Sequence, residues 1–182
     1  MISRKLRVRP VHNKGLGVVA VEDIEAGELL IKEDPLLLLT DWSPSHLTTA
    51  WNRLSPASQA KYLLLANSHQ DTNPLLGIAL TNMIPVNKEG SMFAVFETVS
   101  RVNHSCKANC NHYQERTAAS SLSHTECVRA VLDIKEGEEI TICYRFDHLR
   151  RSIFFPDFRN PMEEGFITRE ERRQLLKEVK EI

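Results

Sequence analysis

The densest run of hydrogen-bonding and nucleophilic side chains in this 182-residue chain is Arg101-Val102-Asn103-His104-Ser105-Cys106-Lys107-Ala108-Asn109-Cys110-Asn111-His112. It is too polar for a core strand and lacks helical periodicity, so it reads as a loop that supplies donors and acceptors. By type, His104, Cys106, Cys110 and His112 are soft zinc ligands. Their spacing is not that of the common zinc fingers, and no self-contained metal site is expected. A nucleophilic Cys–His pair is disfavoured as well, because such partners ordinarily stand far apart in sequence. A second cluster, Glu138-Glu139-Ile140-Thr141-Ile142-Cys143-Tyr144, is a strand after a turn that ends on an aromatic hydroxyl. A third, Lys14-Gly15-Leu16-Gly17, sets a Gly-x-Gly ahead of a strand rather than a helix. That excludes the dinucleotide fingerprint and leaves either an ordinary turn or a backbone against which a ligand lies.

Two echoing phrases are expected to position these clusters. Residues 20–28, AVEDIEAGE, recur as AVLDIKEGE at 130–138, and each copy leads into a β-rich run. Residues 17–33 read as strand, turn, strand, and the two copies are expected as paired β hairpins rather than a solenoid. Further strands are expected over 91–99, 125–132 and 138–144, with a loop over 117–123. Between the copies lies a helical insert at about 41–84. Its starts are Ser43-Pro44, Ser55-Pro56 and Asn73-Pro74, each with Pro at the first helical position, where the missing N–H costs nothing. The apolar faces expected there are Leu47, Trp51 and Leu54, then Tyr62, Leu63 and Ala66, then Leu76, Leu80 and Met83. Beyond Tyr144 the chain becomes irregular, with Phe146, Phe154, Phe155 and Phe158 separated by Pro156 and Pro161. A capping box at Thr168-Arg169-Glu170-Glu171 then opens a final helix at about 168–182.

Composition bounds the function classes. With 42% apolar and 26% charged residues, the chain is neither disordered nor a disulfide-dense miniprotein, and residues 1–182 are expected to form a single domain. Lys plus Arg number 23 against 24 Asp plus Glu, a net charge of −1, which argues against direct nucleic-acid binding driven by bulk positive charge. The opening MISRKLRVRP lacks a secretory apolar run, and no window approaches the roughly 18 apolar residues that span a bilayer. The expectation is an intracellular protein of cytoplasm or nucleus with no membrane partner. The cysteines, Cys106, Cys110, Cys127 and Cys143, are expected as thiols or ligands rather than a disulfide framework.

Taken together and in this order, the three clusters resemble the SET-domain family of S-adenosylmethionine-dependent lysine methyltransferases. The matching phrases are Gly15-Leu16-Gly17, then Arg101 to Cys106 with Asn109, then Gly137-Glu138-Glu139-Ile140-Thr141-Ile142-Cys143-Tyr144. The similarity extends to the SET and MYND branch and its small fungal-type relatives through Asn82, Ser100-Arg101 and the run Arg169 to Leu176. It spans about 14–40 and 78–182. The resemblance implies a mostly β fold with a helical insert, the SET-domain fold of β-clip type, in which the Asn103–Asn109 segment and the strand ending at Tyr144 meet as a pseudoknot. It implies S-adenosylmethionine as cofactor, held by Lys14, Gly15, Leu16, Gly17, Asn82, Asn103, His104 and Tyr144, with Tyr144 also the catalytic residue. The methyl acceptor it implies is a protein lysine ε-amine. Two alternatives stand beside it: a SET-fold enzyme acting on a small molecule in biosynthesis, and a non-catalytic SET module that binds a protein partner.

The sequence departs from that branch in carrying no MYND insert and no cysteine after Cys143, where the family's post-SET thiols join the Cys106 position around zinc. Cys106 is therefore expected as a buried thiol. The position of the aromatic that stacks on the cofactor falls near Ile182, so the cofactor pocket is expected to be partly open. Phe154, Phe155 or Phe158 is expected either to cover it as a lid or to anchor a surface loop.

Overall fold

The computed structural model describes residues 1–41, 43–86, 91–114 and 124–144. The loop expected over 117–123, the Phe- and Pro-rich stretch and the helix at 168–182 lie outside the described residues. In chain order the elements are β1 Leu6–Val11, β2 Gly15–Ala20, β3 Leu29–Glu33, β4 Leu37–Leu39, α1 Pro44–Asn52, α2 Pro56–Leu63, α3 Pro74–Asn82, β5 Ile84–Pro85 and β6 Phe93–Val95. A single 3-10 turn at Val99–Arg101 precedes β7 Asn103–His104, β8 Cys110–Gln114, β9 Glu126–Ala130 and β10 Glu139–Ile142. Among the described residues the chain forms two compact units, one of residues 1–35 with 98–144 and one of Leu36–Glu97.

The first unit holds two sheets, ordered β1-β2-β10-β7 and β3-β9-β8. The echoing phrases are not hairpins in themselves. In each copy the two strands go to different partners: β2 pairs with the neighbouring β1 and the distant β10, and β3 with the distant β9, while β10 pairs with β2 and β7 and β9 with β3 and β8. The turns between them pair instead with each other, through an antiparallel bridge at Ile24 and Ile134. The contacts repeat in both directions. Gly27 N–H donates to Ala130 O and Gly137 N–H to Ala20 O, both at 2.9 Å. Ala26 N–H donates to the Asp133 carboxylate and Glu136 N–H to that of Asp23, again both at 2.9 Å. Each copy needs its glycine because Gly27 (φ 94) and Gly137 (φ 88) occupy the left-handed region. Ile24 and Ile134 are buried at this crossing, as are Val18, Leu30, Ile140 and Ile142 of the flanking strands.

Strand β10 is central. Its sequence Glu-Ile-Thr-Ile alternates, sending Ile140 and Ile142 to one face and Glu139 and Thr141 to the other. It runs antiparallel to β2 and parallel to β7, with Thr141 opposite Asn103 and Ile142 opposite His104. The polar run expected as a loop therefore carries the 3-10 turn and two strands, β7 and β8. Polarity misleads here because β7 is only two residues long and its side chains bond across the crossing. The Glu33 carboxylate fixes the entry, accepting from the N–H groups of Thr98 (2.9 Å) and Val99 (2.9 Å).

The second unit packs α1, α2 and α3 with the sheet β4-β6-β5. All three helices start as the sequence indicates: Ser43, Ser55 and Asn73 cap the N-termini with their side chains, and Pro opens each. One expected face is corrected. Tyr62 is fully buried, but Leu63 is 54% exposed and Ala66 is exposed, and Leu65 turns inward instead. Helix α2 ends at Leu63, and the closing turn, with Leu65 N–H donating to Tyr62 O, brings Leu65 onto the Tyr62 side. The Tyr62 hydroxyl donates to Leu75 O at 2.8 Å, which satisfies its one buried polar atom. No helix among the described residues is long and apolar enough to cross a membrane.

Candidate active site

The β7–β10 crossing gathers most of the residues singled out from the sequence. Asn109 is its rung: its amide nitrogen donates to Glu139 O at 2.8 Å, and its amide oxygen accepts from Thr141 N–H at 2.9 Å. A side chain thereby continues the ladder where β7 has stopped, and Ser105 N–H donates to Ile142 O at 3.0 Å on the other side. This is the meeting of the Asn103–Asn109 segment with the Tyr144 strand that the resemblance implies.

At its centre stands a carboxylate. Glu139 Oε1 accepts from Asn103 Nδ2 and Glu139 Oε2 from Lys14 Nζ, each at 2.7 Å. Asn103 Nδ2 also lies 3.3 Å from Leu16 O, so the turn after β1, the β7 strand and the β10 strand meet within one fork. Lys14 is 41% exposed in its side chain, and screening limits that ion pair to about 0–1 kcal/mol. Glu139 thus matters for orientation more than for stability. Gly17 lies buried beneath the fork, and a Cβ there would stand 2.7 Å from Val11 Cγ2, 2.8 Å from Asn103 Nδ2 and 3.0 Å from Glu139 Oε1. That is a close-approach glycine rather than a turn glycine. Gly15, at φ 75, closes the β1–β2 turn and meets nothing within 4 Å.

Tyr144 lies two residues past the end of β10. Its hydroxyl donates to Val102 O at 2.6 Å, and its N–H donates to His104 Nδ1 at 3.0 Å. The His104 and Tyr144 ring centroids lie 5.3 Å apart, and His104 Nε2 is 3.3 Å from Cys106 Sγ. Tyr144 as a residue is 57% exposed, yet its hydroxyl end is tucked against the Val102 carbonyl. Desolvation there, followed by the negative charge of Glu139, holds the phenol above the ordinary tyrosine range.

Other expectations fall differently. Cys106 is exposed rather than buried, because it sits in the turn just beyond β7, outside both sheets. The buried thiols are Cys110 and Cys127, inside the β8–β9 pair, and burial pushes the Cys110 thiol up to about 12. His112, on β8, pairs with Glu126 at 2.7 Å rather than turning to the crossing. Asn82 belongs to the second unit, where its amide nitrogen donates to Ala66 O (2.6 Å) and Ile78 O (2.8 Å). It is 6% exposed, and those bonds tie the end of α3 to the segment after α2. Glu139 stands within the matching phrase but without an assigned site role, and the alternation of β10 sets it on one face with Thr141.

Comparison with known proteins agrees with this geometry. The profile of the SET domain matches residues 15–145. The chain is 33% identical over 140 residues to the histone-lysine N-methyltransferase set5 of Schizosaccharomyces pombe, covering 76% of this chain and 41% of that protein. It therefore spans less than half of that relative's length. Among solved structures, a chain of an Ezh2-mutant ctPRC2 in its apo form superposes with a TM-score of 0.50 at 18% identity, over 81% of this chain and 16% of that one, which bears on fold alone. With its strand order, its β7–β10 crossing and a family profile that runs over both, the chain belongs to the SET-domain family.

Proposed function

We propose that the chain is an S-adenosylmethionine-dependent methyltransferase whose methyl acceptor is a protein lysine ε-amine. The observation that carries this reading is the β7–β10 crossing, at which Lys14, Asn103 and Glu139 share one hydrogen-bonded fork above Gly17 and Tyr144 lies two residues past β10. The fork suits the cofactor by chemistry. S-adenosylmethionine carries a sulfonium and an ammonium beside a carboxylate, and here a lysine, a carboxylate and an amide stand over glycine backbone that a Cβ would obstruct. Lys14, Gly15, Leu16, Gly17, Asn103 and His104 are the residues to which we assign its binding.

When bound, that group supplies an electrophilic methyl on sulfur. The chain's own residues orient and desolvate. Tyr144 commits its hydroxyl hydrogen to Val102 O, which leaves the oxygen to accept weak C–H···O contacts. Because burial and Glu139 hold its proton on, Tyr144 is a neutral phenol at physiological pH and orients rather than acting as base. A lysine at pKa ~10.4 is neutral at pH 7 about four times in ten thousand, a cost of about 4.6 kcal/mol. Desolvation of the ammonium lowers that cost, and positioning supplies the remainder as effective concentration.

The relative set5 is named for histone lysine, and a histone-class protein is the substrate we propose, acted on in nucleus or cytoplasm. Within the family we assign the chain to the SET and MYND branch on Asn82, Ser100-Arg101 and the run Arg169 to Leu176. The test is transfer of a tritiated methyl group to purified histones by wild type and by Tyr144→Phe, with cofactor affinity measured alongside. The expected result is label on lysine, lost by at least about a hundredfold in the variant, with cofactor affinity retained. Cofactor binding without label on any histone or extract protein favours the small-molecule reading, and absence of binding favours the non-catalytic module.

A further inference from the structure

The net charge of −1 conceals a segregation at the start of the chain. Residues 1–21 carry Arg4, Lys5, Arg7, Arg9 and Lys14 and no acidic residue, the first being Glu22. The two lysines are already paired, Lys5 with Glu28 at 2.8 Å and Lys14 with Glu139 at 2.7 Å. Arg4, Arg7 and Arg9 are exposed, and none of them pairs with a carboxylate among the described residues. Side chains alternate along a strand, so Arg7 and Arg9 share one face of β1, opposite Val19 and Gly17 respectively. Two residues of strand span about 6.8 Å, twice the ~3.4 Å axial step between phosphates on one strand of B-form DNA. β1 is the outer strand of its sheet, with β2 between it and β10, so the arginine strip runs about 10 Å from β10, beside the candidate site rather than over it.

We infer that Arg4, Arg7 and Arg9 form a docking surface for the phosphate backbone of duplex DNA, bound without regard to base sequence. Arginine suits that partner, because its planar guanidinium meets a phosphate with two parallel hydrogen bonds. The low total charge argues only against bulk attraction, and a local strip acts within a Debye length. The edge of β1 is closed to an added peptide strand: Arg7 Nη1 donates to Arg4 O at 3.0 Å and Leu6 O at 2.7 Å, and Pro10 has no N–H to offer. Val8, the exposed apolar residue of β1, points to the opposite face, so the arginine face holds no anchor for a bilayer. β1 also carries no aromatic on which unpaired bases would stack, which favours a duplex over a single strand. Histone octamers carry DNA wrapped around them, so the strip fits the substrate class proposed above, but the binding itself does not depend on that reading.

The test is fluorescence anisotropy of a short labelled DNA duplex titrated with the full chain, without cofactor, over a series of salt concentrations. Three phosphate contacts give a slope of log affinity against log salt of about −2.7. The double variant Arg7→Gln/Arg9→Gln is expected to reduce the size of that slope by about two and to weaken binding at low salt at least about tenfold. Arg9→Gln alone leaves the backbone bonds of Arg7 in place and is expected to reduce it by about one. Arg53→Gln removes the same charge from an exposed position of the helical unit and is expected to change affinity less than about twofold. Duplexes of unrelated sequence are expected to bind alike. The inference is overturned if wild type binds no duplex at low salt, or if Arg53→Gln loses as much as Arg9→Gln. Tighter binding to phosphatidylserine vesicles, to duplex RNA or to a polyglutamate peptide than to duplex DNA overturns it as well. Cofactor binding is not read in any of these titrations, so the methyltransferase proposal stands or falls separately.

Discussion

Replacing Gly17 by alanine probes the crossing with a single methyl group. The added Cβ would lie 2.7 Å from Val11 Cγ2, 2.8 Å from Asn103 Nδ2 and 3.0 Å from Glu139 Oε1. Carbon contacts are comfortable from about 3.5 Å, so the Asn103 amide must retreat by about 0.7 Å. That amide is held by Glu139 and leans on Leu16 O, and Val11 is β-branched and paired in register with Gly15, so relief is not free on either side. Overpacking of this kind costs about 1–3 kcal/mol. A displaced hydrogen bond to a charged acceptor costs about 1.5–3 kcal/mol. Part of that sum falls on folding and part on ligand binding. At about 1.4 kcal/mol per decade, the binding share corresponds to a cofactor affinity reduced about ten- to a hundredfold. Gly27→Ala is the control, because Gly27 has φ 94 and open space around it, so its cost is backbone strain of about 1–2 kcal/mol, felt in stability. Calorimetric titration with S-adenosylmethionine and a thermal melt of each variant make the comparison. The reasoning is refuted if Gly17→Ala binds as tightly as wild type, or if Gly27→Ala loses as much affinity as Gly17→Ala.

Three further outcomes follow from the same contacts. Glu33→Ala leaves the N–H groups of Thr98 and Val99 without their carboxylate, so urea denaturation is expected to show a loss of about 1.5–3 kcal/mol, of which Glu33→Gln recovers part. Glu126 is 1% exposed, with one oxygen on His112 and the other without a hydrogen-bond partner among the described residues. Glu126→Ala therefore is expected to cost about 1–3 kcal/mol by removing the buried hydrogen bond to His112, whereas Glu126→Gln is expected to cost less, since its amide oxygen keeps an acceptor there. Tyr144 holds its proton more tightly folded than unfolded, so its contribution to stability is complete below the ordinary tyrosine value near pH ~10 and is lost as pH rises through the raised folded value. Melting temperatures followed from neutral to strongly alkaline pH are expected to fall more steeply for wild type than for Tyr144→Phe.

Helix starts were legible because their physics is local: Ser43-Pro44, Ser55-Pro56 and Asn73-Pro74 each carry a capping side chain and a proline that needs no donor. Inward faces were less so, since Leu63 and Leu65 differ only by where α2 stops. The echoed phrases announced themselves, but their pairing with each other across 110 residues is a tertiary choice that no window of sequence contains. The same holds for β7. Two residues of strand carry no periodicity, and only their parallel pairing with β10 makes them one. Among the site residues, motif order identified Asn103, His104 and Tyr144, and the crossing brings them together. The expected burial of Cys106 fails because its position one turn beyond β7 leaves it at the surface, which its thiol chemistry does not foretell. Glu139 stood in plain view in an alternating strand. Its importance comes from Lys14 and Asn103, neither of which is near it in the chain.

The central claim is that the cofactor lies at the crossing of β7 with β10, and amide shift mapping tests it most directly. Titrating S-adenosylmethionine into isotopically labelled protein is expected to move the N–H resonances of residues 14–17, 102–105 and 139–144, while those of α1 and α2 stay in place. Saturable shifts confined to the helical unit, or no shifts at any residue, would contradict the account.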